Sequence, residues 1–242
     1  MICMKTSFHQ ELLRQIKENS GKPTQHTFLD GYLGNHHPRY EISAPVLRTM
    51  AKTWMKANKD LEAETFAQVV ADLIHAESAT EKWLAGILLD YSTPNQRKFD
   101  PKVFDEWLDH LEGWAEVDAV CTNKYTRTEI AAQWRKWKLL LIKFSKSKNI
   151  NKRRASLVLF CSPLSQFEDP ELTATAFDII DRLKSENKVL ITKAISWLLR
   201  SMVKHNRSAL EKYLKEHADT LPKIAVRETL VKLETGRKTK RI

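Results

Sequence analysis

The segment "EGWAEVDAVC" places an indole and a carboxylate, Trp114 and Asp118, four residues apart in a mostly apolar stretch. In a helix, residues i and i+4 lie on the same face, so both side chains would point to the same side. Such a pair can form one wall of an active site. It can equally be a half-buried tryptophan beside an aspartate that the helix dipole favours in the first turn. The spacing alone leaves both interpretations open.

The neighbouring residues predict the helix that carries this pair. Residues 101–113 favour a helix that ends at Gly113, because glycine commonly forms the C-terminal cap of a helix. A second, short helix then begins at Trp114, and we expect Val120 and Cys121 to face the core.

The segment "NINKRRASLVLF" predicts an apolar helix whose first turn carries Lys152, Arg153 and Arg154. Free backbone amides at a helix N-terminus and guanidinium groups together bind phosphate well. The helix dipole disfavours cations at this end, so a purely structural role for them is costly. The local sequence leaves phosphate binding and a structural role open.

The segment "ITKAISWLLRSMVKHN" places Trp197 between Lys193 at i−4 and Arg200 at i+3. On one helix face, an indole can stack against a base or sugar while the flanking cations contact phosphates. A core tryptophan fits the same pattern equally well.

The loop "GYLGNHHPRY" contains two adjacent histidines, His36 and His37, which raise the question of a metal site. No acidic residue or cysteine stands at a helical spacing from them, so we predict no metal site. The cysteines Cys3, Cys121 and Cys161 form no CxxC or Cys/His pattern, which argues against structural zinc. Lone cysteines without a neighbouring histidine are typical of small buried residues rather than catalytic thiols.

Positive charge is concentrated in one part of the chain, the segment from residue 121 to residue 154. The chain has a formal net charge of +10, and this segment alone carries all of it, because it contains eleven basic residues and one acidic residue, Glu129. The basic residues are Lys124, Arg127, Arg135, Lys136, Lys138, Lys143, Lys146, Lys148, Lys152, Arg153 and Arg154. A solvated helix face accounts for some of them, but the one-sidedness favours a nucleic-acid surface.

Helical periodicity dominates the chain, and its six glycines form neither a GxGxxG nor a GKS/GKT motif, which argues against Rossmann and P-loop folds. In "APVLRTMAKTWMKAN", for example, the pattern stacks Val46, Met50 and Trp54. We predict an all-α fold of about a dozen helices, mostly about 12 to 18 residues long. Helical pairs recur at the interval of HEAT-like or armadillo-like repeats, which predicts a helical-repeat solenoid with a basic concave groove; a compact bundle is the alternative.

No domain linker is visible, so we predict a single domain over residues 1–242 with a basic tail at about residues 236–242. The chain has no run of about 18 apolar residues, so no membrane-spanning helix is expected. Its first residues lack the apolar core of a signal peptide. These features predict a cytoplasmic protein.

Four segments, in order along the chain, resemble the bacterial AlkD-type DNA alkylation repair glycosylase family. The segment "GYLGNHHPRYEISAPVLR" resembles a family segment in which an aromatic residue precedes a G/S-x-P-x-x-R helix start. "GWAEVDAVC" is similar to the family's W-x-x-x-D segment, and "NINKRRASLVLF" to its R-A-x-x-x-F helix. "ITKAISWLLRSMVKHN", the most specific match, is similar to the helix K-A-I-x-W-x-L-R-x-x-x-K-x-N. The resemblance spans Gly31 to Asn206.

The resemblance implies hydrolysis of the N-glycosidic bond of N3- and N7-alkylated purines in duplex DNA, by a stack of HEAT-like helical pairs. It assigns Trp114, Asp118 and Trp197 to the catalytic cleft. It also implies a monomer that needs no obligate protein partner, no metal and no cofactor.

The resemblance extends to residues that would contact DNA. Arg154, directly before Ala155, matches the family's cleft arginine better than Arg153 does, and Tyr32 matches an aromatic residue at the groove edge. We predict that the residues contacting DNA are Arg154, Arg153, Lys152, Lys193 and Tyr32.

The chemistry of this reaction suits those residue types. A purine alkylated at N3 or N7 carries a positive charge and is already a good leaving group without a general acid. The difficult part is the positive charge that develops on the deoxyribose, and one carboxylate can stabilise it and orient water. Indole faces favour cationic species, and Arg154 would hold a phosphate next to the lesion. The sequence shows no signature of a deep base-binding pocket.

The chain departs from the family pattern in three places. Gly113 stands where relatives often carry a second aromatic residue, a short extra stretch surrounds "SPLSQFEDPE", and "NHHPRY" is an unusual version of the N-terminal loop. The alternative function is a non-catalytic HEAT-repeat protein that recognises damaged or branched DNA. A protein-binding scaffold is a third hypothesis, but it gives no reason for the concentrated positive charge.

Overall fold

The computed structural model describes residues 6–21 and 34–238, and every regular element in those ranges is helical. The prediction of an all-α fold is confirmed. The chain divides into two compact units, unit 1 (Met1–Tyr125) and unit 2 (Thr126–Ile242). None of the helices in the described ranges is long and apolar enough to cross a membrane.

Unit 1 is built from helical pairs around a row of three helices. Its helices are α1 (Ser7–Glu18), α2 (Ala44–Ala57), α3 (Ala63–Ile74), α4 (Ala79–Tyr91), α5 (Val103–Trp107) and α6 (Gly113–Cys121), with short 3₁₀ helices at Gln96–Lys98 and Leu108–His110. Helix α3 packs against α1 and α4, and α4 packs against α2 and α6. The row α2, α4 and α6 therefore has α4 at its centre.

Unit 2 also contains a row of three helices. Helix α7 (Lys124–Ala132) crosses the division between the units and is followed by α8 (Trp134–Ser145), α9 (Ile150–Val158), α10 (Cys161–Leu164), α11 (Pro170–Leu183), α12 (Val189–Met202), α13 (Arg207–His217) and α14 (Lys223–Thr235). Helix α9 packs against α8 and α12, and α12 packs against α14. The row α9, α12 and α14 is the counterpart of the row in unit 1, and the packing in both units is consistent with the predicted helical-repeat solenoid.

Local sequence explains where several helices begin and which face they bury. The side chain of Asp169 accepts hydrogen bonds from the backbone N–H groups of Glu171 and Leu172, and Pro170 occupies the first position of α11, where its missing N–H costs nothing. Eight α-helices have 12 to 14 residues, within the predicted length of about 12 to 18, and the other six α-helices of the described ranges are shorter. In α2 the predicted stack was wrong at one position: Met50 and Trp54 are buried, but Val46 is 40% exposed, and Leu47 takes its place in the core.

The predicted helix over residues 101–113 was also wrong. Helix α5 has five residues and passes into the 3₁₀ helix Leu108–His110, after which Leu111 and Glu112 are extended. Gly113 does not end a helix but is the first residue of α6, with φ of 65°. A left-handed residue turns the extended chain into α6, and glycine adopts that conformation without a steric penalty.

Candidate functional site

Helix α6 places Trp114 and Asp118 one turn apart, and both side chains are half-buried. Both line a cavity of about 400 Å³ within unit 1. Val120 and Cys121 on the same helix are fully buried, as predicted, so α6 turns one face to the core and another to the cavity. A half-buried indole fits both interpretations of the pair, and the buried tryptophans of unit 1 are Trp107 and Trp54.

A buried carboxylate fixes the start of α6. Glu116 is fully buried, and its Oε2 accepts a hydrogen bond of 2.8 Å from the backbone N–H of Glu112. Its Oε1 accepts a hydrogen bond of 2.7 Å from Nδ2 of Asn35 and lies 2.9 Å from Nδ1 of His37. Moving a carboxylate from water into the protein interior costs free energy, and these hydrogen bonds offset that cost. His37 therefore contacts a buried carboxylate of α6.

The half-buried carboxylate of Glu112 also binds the loop that contains His36 and His37. Its Oε2 accepts a hydrogen bond of 3.0 Å from the backbone N–H of His36. Burial would raise the pKa of this carboxyl group, but the hydrogen bond from His36 and the nearby histidines outweigh it, and the pKa lies below its usual value. The carboxylate form that secures the loop to the start of α6 therefore persists at neutral pH.

Helix α4 lines the same cavity as α6. It contributes Trp83, Ile87 and Asp90, and its Gly86 lies against α6. A Cβ atom built on Gly86 would stand 2.3 Å from the carbonyl oxygen of Ala119, so only glycine permits this close approach of the two helices. The separation between the wall with Trp83 and the wall with Trp114 and Asp118 is therefore set by one missing side chain.

Trp83 is a half-buried aromatic residue whose Nε1 is buried and has no hydrogen-bond partner among the described residues. The guanidinium carbon of Arg39 lies 5.8 Å from the centre of its ring, so the indole face already accommodates a cation. Asp90, farther along α4, accepts a hydrogen bond of 2.9 Å from the backbone N–H of Lys124. From α2, the exposed Arg48 also lines the cavity.

Our prediction from sequence missed Trp83, Asp90 and Arg48. The signal for α4 was present, because positions 83, 86, 87 and 90 follow the i, i+3, i+4, i+7 rule and share one helix face. That face could have been read as an aromatic and acidic stripe on the helix "ATEKWLAGILLDY". Arg48 had no such signal, because its place beside the cavity depends on how α2 packs against α4.

In unit 2, the predicted phosphate-binding arginines have partners within the protein. Arg154 is 4% exposed, and its Nη1 donates a hydrogen bond of 2.5 Å to the carbonyl oxygen of Leu190 at the start of α12. Arg153 donates from Nε and Nη2 to the two carboxylate oxygens of Glu186, at 2.7 and 3.1 Å. A two-pronged pair of this kind holds the guanidinium in a fixed orientation. Lys152 is half-exposed on the same helix.

The N-terminus of α9 is capped by its own chain. Oδ1 of Asn149 accepts a hydrogen bond of 2.8 Å from the backbone N–H of Asn151. The expectation that the amides there are all free was therefore wrong, because the side chain before the helix already occupies one of them.

Helix α12 carries Lys193 and Trp197, and both side chains are half-exposed. The fully buried tryptophan of unit 2 is Trp137, so Trp197 is not a core residue. Arg200 does not flank the indole as a solvated cation: its Nε lies 3.3 Å from Oε2 of Glu228 on α14. Burial lowers the pKa of Arg200, and the Glu228 carboxylate opposes that effect.

Most of the basic segment from residue 121 to residue 154 lies at the surface. Its exposed members are Lys124, Arg127, Arg135, Lys136, Lys143, Lys146 and Lys148. Lys138 pairs with Glu171 at 2.9 Å, and its ammonium lies 5.9 Å from the ring centre of Trp134. Cys121 and Cys161 are buried, as predicted, whereas Cys3 and Tyr32 lie outside the described residues.

Comparisons with known proteins agree with the resemblance. The model of the family described as "DNA alkylation repair enzyme" matches residues 10–233. A solved structure described as a predicted DNA alkylation repair enzyme from Enterococcus faecalis is similar in fold, with a TM-score of 0.69 and 21% sequence identity. The similarity covers 86% of this chain and 94% of that one. No curated protein matches the chain.

Proposed function

The chain belongs to the DNA alkylation repair enzyme family, and we propose that it is a DNA glycosylase that excises N3- and N7-alkylated purines from duplex DNA. Membership supports a role in alkylation repair and an enzymatic activity. The observation that carries the narrower proposal is the position of Asp118: a carboxylate beside an indole, in an aromatic cavity that is open to solvent.

In the proposed reaction, the bond between C1′ of the deoxyribose and the purine nitrogen breaks, and its electron pair neutralises the positive charge on the purine. The sugar becomes positively charged at C1′. A water molecule adds its oxygen there and releases a proton, so that the products are a free alkylated purine and an abasic site. No metal or cofactor enters this balance, because the alkyl group has already activated the leaving group.

Asp118 would stabilise the cationic sugar and orient the water that attacks it. A carboxylate near an apolar wall acts more strongly on a developing positive charge than the same group in water. Trp114, one turn earlier on α6, would present its ring to the cationic nucleotide. Trp83 on α4 lines the same cavity and would contribute a second ring in unit 1.

Unit 2 would contribute Trp197 as a further indole and four cations for the DNA backbone. Arg154, Arg153, Lys152 and Lys193 are proposed to contact phosphates, and Tyr32 to contact DNA at the groove edge. The hydrogen bond to Leu190 fixes the Arg154 side chain before DNA arrives, which lowers the entropy lost on binding. A monomer acting on DNA without a protein partner is part of this proposal.

The decisive experiment measures release of 7-methylguanine or 3-methyladenine from methylated duplex DNA without added metal. We expect the wild-type protein to release both bases and Asp118→Asn to lower the rate by at least about 100-fold, because a stabilising group aimed at developing charge is typically worth that much. DNA binding by the variant should stay within about twofold of wild type, since Asp118 is not a cation that meets phosphate.

Asp90→Asn is the matched control, because Asp90 lines the same cavity and asparagine retains the oxygen that accepts the hydrogen bond from Lys124. We expect this variant to keep most of the activity. Full excision by Asp118→Asn, or an equal loss in both variants, would contradict the assigned role of Asp118.

The second candidate function is DNA binding without catalysis, which the exposed basic segment favours by itself. It predicts the same salt-dependent binding to duplex DNA. It differs in predicting that the wild-type protein releases no base from any methylated substrate.

A further inference from the structure

Away from the cavity lined by Trp114, unit 1 brings together two histidines and a glutamate. Nε2 of His75 lies 2.5 Å from Oε1 of Glu106, and Nε2 of His110 lies 2.9 Å from the same oxygen. The two imidazole rings are 4.3 Å apart between their centres. Our prediction from sequence missed this cluster, because His75 lies 31 residues before Glu106.

The backbone that carries the two histidines is fixed by a buried lysine. Lys82 on α4 is 2% exposed, and its Nζ donates hydrogen bonds to the carbonyl oxygens of Ile74, at 2.5 Å, and His110, at 2.9 Å. Ile74 ends α3 directly before His75. One ammonium group thus ties together the two chain segments that present the imidazoles, so their proximity is built into the fold.

We propose that His75, Glu106 and His110 form a binding site for a divalent transition-metal ion of the zinc type. Two imidazole nitrogens and one carboxylate oxygen are a donor set that such ions prefer over Mg²⁺ or Ca²⁺. The three donor atoms lie within 4.8 Å of one another. Tetrahedral zinc with bonds of about 2.0–2.1 Å separates its ligand atoms by about 3.3 Å. Small rotations of the exposed side chains therefore suffice to surround an ion.

The two histidines of the cluster line a cavity of about 500 Å³. His75 and His110 line it together with the carboxylates Asp109 and Glu112. Water from this cavity can therefore complete the coordination of an ion held by the three ligands. The carboxylates also offset the positive charge of Lys82, which lines the same cavity and would otherwise disfavour a cation.

An ion at this position would link the end of α3 to α5 and the 3₁₀ helix that follows it, because Glu106 lies on α5 and His110 ends the 3₁₀ helix. A ligand that binds only the folded state stabilises it in proportion to the logarithm of its concentration. The proposed site is therefore a structural clamp in unit 1. The proposed metal site uses neither Trp114 nor Asp118, so its test does not depend on the outcome of the glycosylase test.

The test uses the full chain, freed of metal with a chelator, and isothermal titration with Zn²⁺ alone. We expect one Zn²⁺ bound per chain at micromolar concentrations and no measurable heat with Mg²⁺. The midpoint temperature of thermal unfolding should rise by about 5 °C or more when the Zn²⁺ concentration is one hundred times the dissociation constant.

Two variants and a matched control decide the location. Both His110→Gln and Glu106→Gln should weaken Zn²⁺ binding by at least about tenfold, since each removes one of three ligands. The control is His36→Gln, which removes an exposed histidine beside Glu112 on the same unit and should bind as wild type does. Absence of Zn²⁺ binding would show that the cluster is only a hydrogen-bonded triad, and an unchanged affinity in His110→Gln and Glu106→Gln would likewise overturn the proposal.

Discussion

The two helix rows, α2–α4–α6 in unit 1 and α9–α12–α14 in unit 2, are built alike but use charge differently. In unit 1 the row surrounds a cavity with aromatic rings and the carboxylates Asp90 and Asp118. In unit 2 the row carries arginines whose guanidinium groups already have protein partners, such as Arg154 with Leu190 and Arg200 with Glu228. Similar rows of helices therefore carry an aromatic, acidic cavity in unit 1 and arginines bound to carbonyl or carboxylate groups in unit 2.

In the proposed glycosylase reaction, this difference separates two tasks, the stabilisation of positive charge and the binding of phosphate. An aromatic and acidic cavity favours a positive charge, which is the charge of an alkylated purine and of the sugar as the base leaves. A cation held by a carbonyl group, as Arg154 is, keeps its charge and binds phosphate without having to be ordered, whereas a carboxylate partner offsets the charge. The comparison predicts that damage to unit 1 lowers stability or catalysis, whereas changes in the cations of unit 2 alter DNA affinity.

The largest expected effect concerns the close approach of α4 and α6. We expect Gly86→Ala to destabilise the protein by about 3 kcal/mol, because the new methyl group meets the Ala119 backbone and the two helices must separate. Thermal or urea unfolding measures this loss. Gly21→Ala, whose Cβ atom would meet the flexible side chain of Glu41 at 3.3 Å, should change stability by less than about 0.5 kcal/mol. Equal stability of the two variants would contradict the role of Gly86 as the spacer of the cavity.

An intermediate effect is expected from the indoles. Trp114→Ala should lower the rate of base release by about tenfold, the value of one partly desolvated cation–π contact. Trp114→Phe should recover most of the rate, because it restores a ring face. The same pair of substitutions at Trp197 measures the contribution of unit 2. A larger loss at Trp197 than at Trp114 would reverse the division of tasks between the units.

The smallest expected effect lies in the cations of unit 2. Glu186→Gln should raise the affinity for duplex DNA by about two- to threefold and steepen its salt dependence by up to about 0.9, because Arg153 loses its carboxylate partner and gains access to a phosphate. Titrations at several salt concentrations measure both quantities. Glu168→Gln removes the same charge from an exposed position of unit 2. Equal gains in the two variants would mean that net charge, and not Arg153, sets the affinity.

Local patterns predicted what depends on neighbouring residues along the chain. The all-helical class followed from periodicity, and the shared face of Trp114 and Asp118 followed from their spacing of four. The error at Val46 shows the limit of such patterns: a helix has several possible apolar stripes, and packing against α4 selected the one through Leu47. The error at Gly113 has a similar cause, because both ends of a helix accept glycine and only the path of the chain decides between them.

Sequence by itself determined the helical class, the concentration of positive charge before residue 155 and the placement of an indole and a carboxylate on one helix face, because each depends on composition or on spacing within one helix. Only the tertiary structure decided that Trp83 lines the cavity with Trp114, that Glu186 holds Arg153, and that Lys82 brings His75 beside His110. These contacts join residues of different helices, and their existence depends on packing distances such as the one that Gly86 permits.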